Sequence, residues 1–223
     1  MKEQNPTSRR IFLKDSASYA LLCAAAFSFG CSVKEQTPPS EGKQGPNIAI
    51  IYATRYGATE DTARWIAKGM EQNVDLLNIA TMDADAVIKK YDAFVIGSGV
   101  WLGGVDKRIL AFMDKYADKL DKRLPGTFIV CGTEGDSEAG QKRIEKYFKQ
   151  LHAPLKHPPV NHKALGGRLV VEKLTAEDKA ALEKFYRTFL KQELHDWDRT
   201  SPNTAYKYGK QVSARIKEGC ANN

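Results

Sequence analysis

The chain is short of the residues that build metal and thiol redox centres. Its 223 residues include only four cysteines and four histidines. No two cysteines form a CxxC pair, and His152, His157, His162 and His195 lack metal-site spacing, so no metal is expected. Also missing are a G-x-G-x-x-G turn and a Walker loop, which counts against a dinucleotide or a nucleoside triphosphate. No dense Lys/Arg cluster is interleaved with aromatics and no nucleic-acid motif occurs, so nucleic acid is not an expected partner. Long apolar runs are scarce too. The best one, Ala17 to Gly30, falls short of the roughly 20 residues that a membrane span needs.

What is present is an ordinary globular composition, 42% hydrophobic and 27% charged, in a length that suits one domain plus extra segments. The formal charge is +7, and about +5 remains once the first 31 residues are set aside. Such a basic surface suits anionic lipid or an acidic partner, or is simply a solvated face.

The amino terminus carries its own message. Ser8-Arg9-Arg10-Ile11-Phe12-Leu13-Lys14 resembles the twin-arginine export motif, and a short apolar run with small residues follows. Residues 1–31 therefore read as a twin-arginine signal peptide. Gly30-Cys31 resembles a lipoprotein cleavage box, although the usual Leu three residues upstream is absent and Phe29 is bulky. Lipidation at Cys31 would tether the chain by two acyl chains, enough for stable anchoring. Residues 32–46, with Pro38, Pro39, Gly42, Gly45 and Pro46, read as a flexible linker. The expected location is periplasmic, or the outer face of the cytoplasmic membrane. Of the remaining cysteines, Cys131 ends an apolar run and reads as a small buried hydrophobe; a disulfide to Cys220 stays open.

From Asn47 onward, apolar runs alternate with helical periodicity. Ile48–Ala53, Val74–Ile79, Ala93–Gly97, Thr127–Cys131 and a segment within Lys163–Val171 read as strands. Between them lie helices, the clearest being Val105, Ile109, Phe112, Met113, Tyr116 and Leu120. Two more helices follow, one from a Thr175 cap to about Leu194 and one over Thr204 to Lys217. Such alternation implies an α/β fold, with a parallel sheet covered on both faces. A five-stranded version needs one closing helix, so one of the last two is an addition.

Ligands of such sheets bind beyond the carboxyl ends of the strands. Three loops lie there. Thr54-Arg55-Tyr56-Gly57-Ala58-Thr59 joins the first strand to the first helix, and a helix amino end with hydroxyls and a glycine suits an anion. The absent dinucleotide and Walker signatures favour a monophosphate, and a plain capping turn with Thr59 as N-cap is the alternative. Ser98-Gly99-Val100-Trp101-Leu102-Gly103 offers glycines and a tryptophan that either stacks on a flat ring or packs inward. Gly132-Thr133-Glu134-Gly135-Asp136 brings acceptors and backbone groups suited to a heterocycle edge. No catalytic acid–base pair stands out.

These loops together resemble the flavodoxin-like family over roughly Asn47 to Lys217. The likeness is greatest to the menaquinone-dependent protoporphyrinogen oxidase subgroup, through Ala53–Thr59, Val95–Gly99 and Ala164-Leu165-Gly166-Gly167-Arg168-Leu169. The resemblance implies a five-stranded parallel sheet in the order 2-1-3-4-5, with one extra helix before the C-terminal helix, over residues 47–218. It implies FMN, its phosphate on Thr54 to Thr59, its ring flanked by Ser98 to Gly103 with Trp101 stacking, and its polar edge at Gly132 to Asp136. It further implies electron transfer or flavin-dependent oxidation, with a quinone or a membrane redox protein as partner. The third loop departs by lacking a ring-shielding aromatic, and the basic charge departs from acidic electron carriers. A flavin-free binding module on the same fold is the rival reading.

Overall fold

The structure is a computed structural model that describes residues 45–221, with side chains as far as Gly219. The export motif, Cys31 and most of the linker lie outside the described residues, as does the Cys220 side chain.

Five parallel strands form the sheet: β1 (Ile48–Ala53), β2 (Val74–Asn78), β3 (Ala93–Trp101), β5 (Gly126–Cys131) and β6 (His162–Gly166). A two-residue strand, β4 (Gly104–Val105), folds back antiparallel on the end of β3. The order is β2-β1-β3-β5-β6, which is the expected 2-1-3-4-5 once β4 is set aside. Because the chain steps from β1 to β2 on one side and then to β3 on the other, the switch point falls between β1 and β3.

The helices are α1 (Ala58–Met70), α2 (Ala84–Lys90), α3 (Lys107–Lys115), α4 (Ala117–Leu120), α5 (Glu138–His152), α6 (Ala176–Phe185) and α7 (Pro202–Ala221). Strand side chains alternate between two apolar layers, as their period of two requires. Ile48, Ile50, Tyr52, Val95 and Phe128 pack under α1 and α7 with Ile66, Met70, Tyr208 and Val212. Ala49, Ile51, Phe94, Ile96 and Ile129 pack on the other face with Ile109, Phe112, Met113, Leu120 and Leu151. Helices α1 and α7 meet backbone to backbone. A Cβ on Gly69 would lie 2.0 Å from the Tyr206 carbonyl oxygen, and one on Gly209 would lie 2.1 Å from that of Ile66.

Several boundaries differ from the sequence reading, each for a tertiary reason. β3 runs on to Trp101 because β4 supplies a hairpin partner, with Val100 opposite Val105 and Trp101 opposite Gly104. The long third helix breaks at Tyr116, whose hydroxyl donates to Asp85 Oδ1 at 2.6 Å; the short turn after it drops Leu120 into the core. The fifth strand stops at Gly166. Arg168–Leu169 (β7) leaves the sheet and pairs antiparallel with Trp197–Asp198 (β8). The extra helix is α6, continued by a π-helical turn over Tyr186–Leu190 rather than a regular helix to Leu194. Cys131 is a free, buried thiol, and burial pushes its pKa up.

Candidate functional site

Strand β1 carries the chain to the carboxyl edge of the sheet, where Thr54 to Gly57 turn it into α1. The turn closes on itself: the Gly57 amide donates to Thr54 Oγ1 at 3.0 Å, and Asp61 N–H closes on the Gly57 carbonyl at 3.0 Å. Gly57 has φ 86, a left-handed backbone that favours glycine. Thr59 does not cap the helix, as it would in the plain-turn alternative. Gly57 occupies the cap position with no side-chain cap, because the Thr54 hydroxyl already closes the turn and the helix starts one residue before Thr59. Thr59 is buried in the first turn, facing Gly99. The amides of Ala58, Thr59 and Glu60 therefore open from the end of α1 with no intrahelical acceptor. With the partial positive charge of the helix end, these groups fit a phosphate monoester.

The second loop is more ordered than expected. Ser98 is fully buried; its hydroxyl donates to the Gly99 carbonyl at 2.8 Å and accepts from Asp106 N–H at 3.0 Å. It thus pins the hairpin to the start of α3 and does not face outward. The hairpin tip is Leu102–Gly103, with φ 47 and 82, a two-residue turn of the kind that fits twisted strands. Trp101 is half-buried. The Arg55 guanidinium lies over its ring at 4.7 Å, and the Tyr56 ring is tilted against it at 5.9 Å. Its remaining apolar surface packs with Leu169, Leu182 and Tyr186.

In the third loop, Glu134, Gly135 and Asp136 are exposed, while Gly132 and Thr133 are half-buried. Gly132 lies beneath Trp197, so close that a Cβ there would come within 2.8 Å of the indole. Arg199 donates to the Gly132 carbonyl, pairs with Glu134 at 2.9 Å and covers the Trp197 ring at 5.2 Å. The aromatic that the third loop lacks is thus brought to it from the distant ribbon β7–β8.

This ribbon and α6 form a segment, Arg168 to Arg199, that touches all three loops. Asp178, 5% exposed, accepts from Arg55 Nε at 2.6 Å and Nη2, and from the Tyr56 hydroxyl. The Arg55 and Tyr56 donors hold its carboxyl below the usual carboxylate range against the opposing effect of burial. Tyr56 in turn accepts from Thr175 N–H at 3.2 Å, and Thr175 caps α6 through Asp178 N–H. Arg168 pairs with Asp61 of α1 at 2.5 Å. Asp178, Arg168, Trp197 and Arg199 were not among the expected site residues. Their partners in the loops and α1 lie 65 to 123 positions away in the chain, so no local spacing points to them.

The flavodoxin domain profile matches residues 49–193. The chain belongs to the flavodoxin domain family. Among solved structures, this family member resembles the flavodiiron protein from Giardia intestinalis at 15% identity and a TM-score of 0.53, over 79% of this chain and 37% of that one. It also matches the WrbA-like flavodoxin protein from Agrobacterium tumefaciens, at 17% identity, TM-score 0.47 and coverage of 78% and 99%. Megasphaera elsdenii flavodoxin matches at 18% identity, TM-score 0.43 and coverage of 75% and 98%. The chain spans little more than a third of the flavodiiron protein's length, and at such identity that likeness speaks to the fold alone. No curated protein matches this chain.

Proposed function

We propose that this flavodoxin-domain protein binds FMN at the carboxyl edge of its sheet and works as an exported electron-transfer or flavin-oxidising protein. The observation that carries the reading is the α1 amino end. Free amides of Ala58 to Glu60, the left-handed Gly57 and the closed Thr54 turn sit beside the switch point, where the other two loops converge. Thr54 to Thr59 would hold the phosphate. The backbone around Gly99 and Gly132 would meet the ring, which when bound supplies the redox chemistry. The chain's own work is binding, orientation and exclusion of water. Asp178 fixes Arg55 and Tyr56, and the Trp101 and Trp197 indoles flank the edge.

Export by the twin-arginine route, with lipidation at Cys31, would hold the domain at the outer face of the cytoplasmic membrane. A quinone or a membrane redox protein is the partner in this reading. Oxidation of the protoporphyrinogen type is a narrower version, less favoured because an exported chain is remote from cytoplasmic haem synthesis. The test is direct. The folded, exported protein should be yellow when purified, or should take up added FMN with loss of the flavin's free fluorescence. A colourless protein that fails to take up FMN would sink the proposal.

One feature favours a flavin-free binding module. The segment Arg168 to Arg199 packs on all three loops, with Asp178 on Arg55, Leu169, Leu182 and Tyr186 on Trp101, and Trp197 on Gly132. The same titration decides it, because such a module ignores FMN.

A further inference from the structure

The segment after β7 leaves one apolar feature uncovered. Helix α6 runs into the π-helical turn Tyr186–Leu190, where Lys191 N–H reaches back to the Tyr186 carbonyl, and Lys191 then ends it with φ 55. Leu182 and Tyr186 face inward onto Leu169, and the Tyr186 hydroxyl accepts from Trp197 Nε1 at 2.7 Å. Phe189 faces outward. It is 71% exposed and packs on Phe185 with ring centroids 5.3 Å apart. A π turn is rare and often marks a functional position. Here it carries an aromatic into water.

Three cations lie on the same stretch. Lys184, Arg187 and Lys191 follow one another at three- and four-residue steps, next to the Phe185–Phe189 pair. All three are exposed, and among the described residues none of them forms an ion pair. Arg187 and Lys191 also line a cleft of about 550 Å³, with Glu183, Gln192, Glu193 and Leu194. It shares no lining residue with the three loops.

We propose that this face is a membrane-contact surface. Phe189, backed by the half-buried Phe185, enters the headgroup boundary of an anionic bilayer, and Lys184, Arg187 and Lys191 lie among its lipid phosphates. A phenylalanine ring offers no hydrogen bond and protrudes rather than lining a groove, which suits a fluid apolar layer. Unpaired cations on a chain of net charge +7 complement a negative lipid surface. Glu183 and Glu193 moderate the attraction, so the contact is weak and reversible and serves as a second signal beside an anchor. The contact does not require that anchor or a bound flavin.

The test uses the full chain carrying C31S, so that no acyl chain contributes. F189W places an indole on the face, read against the same chain with Phe189 in place. Vesicles of phosphatidylcholine, with or without phosphatidylglycerol, carry brominated acyl chains as quenchers. The emission that F189W adds should be quenched on phosphatidylglycerol vesicles and spared on pure phosphatidylcholine. The triple variant K184Q/R187Q/K191Q, made in the same background, should lose several-fold of that quenching. Absence of quenching on anionic vesicles overturns the proposal. So does equal quenching on both vesicle types, or quenching that the triple variant leaves unchanged. Concentration-dependent dimers that F189S abolishes, with no lipid quenching, would give the face to a second copy of this chain and also overturn it. None of these readings depends on FMN, so they stand apart from the flavin titration.

Discussion

Two regions meet at the carboxyl edge of the sheet, and they are held by different means. The loop from Thr54 to Thr59 is a backbone device: a hydroxyl closes the turn, Gly57 takes a left-handed conformation and the amides of α1 open outward. The segment from Arg168 to Arg199 is a side-chain device. It has a small apolar cluster around Leu169, Leu182 and Tyr186, and it grips the loops through Asp178, Arg168 and Arg199. The first follows from local chemistry. The second depends on partners far away in sequence. The first region rests on the doubly covered sheet, whereas the second rests on the first.

That dependence sets the size of the expected effects. The largest belongs to the support of the phosphate loop. Gly209→Ala drives a Cβ into the Ile66 carbonyl across the α1–α7 contact and should cost about 3 kcal/mol, read as a lower urea midpoint. An unchanged midpoint would show that the helices slide freely and that the base under α1 is not rigid.

Next comes a pH effect on the opposite layer, far from the inserted segment. His152 is held by burial, with a smaller push from His162, at a pKa of about 4 against an ordinary 6.5. Its neutral ring contacts Thr127 Oγ1 at 2.9 Å. Since the folded pKa is depressed, the unfolded chain takes up the proton first. Stability is full above pH 6.5, falls through the interval down to about 4 and then levels off. After discounting for partial exposure the loss is roughly 2 kcal/mol. His152→Gln should flatten that part of the stability–pH curve; an equal slope in the variant would discard the assignment.

Asp178→Asn acts where the two regions meet. Removing the charge loosens Arg55 and Tyr56 while leaving the sheet core untouched. FMN affinity should fall about tenfold, or about 1.4 kcal/mol, with little change in melting temperature. Trp101 fluorescence should change in the same variant without FMN, because the guanidinium over its ring is released. If affinity is unchanged, the segment is a passenger on the loops. A Trp101→Ala variant that binds FMN equally well would remove the stacking role of that residue alone.

The smallest effect is at the hairpin tip. Leu102 holds φ 47, which a non-glycine residue tolerates poorly, and its side chain is 42% exposed. Leu102→Asn should stabilise by about 0.5–1 kcal/mol, seen as a small rise in melting temperature, because Asn accepts that backbone. A destabilised variant would mean that Leu102 makes an apolar contact in solution.

The sheet is legible because its central strands are buried on both faces. Runs such as Ile48–Ala53 have no polar interruption, and helix periods recur between them. The turn from Thr54 to Gly57 is legible because glycine and hydroxyl chemistry acts within a few residues. The alternative of a Thr59 cap fails because Thr54 and Gly57 close the turn before Thr59. The hairpin at Trp101 was misread as a loop, since a two-residue strand leaves no periodic signal. The ribbon escaped for the same reason, and with it Trp197, which stands where the third loop lacks an aromatic.

By itself the sequence determined the alternation of strand and helix, the burial of both sheet faces and the presence of a hydroxyl- and glycine-bearing turn between β1 and α1. Each follows from residue type and short-range spacing. Only the tertiary structure decided that the extra segment folds over all three loops, that Asp178 clamps Arg55 and Tyr56, and that Phe189 is left facing water. The covering of the loops and the Asp178 clamp depend on side chains that lie 65 to 123 positions apart, and no local pattern encodes such meetings.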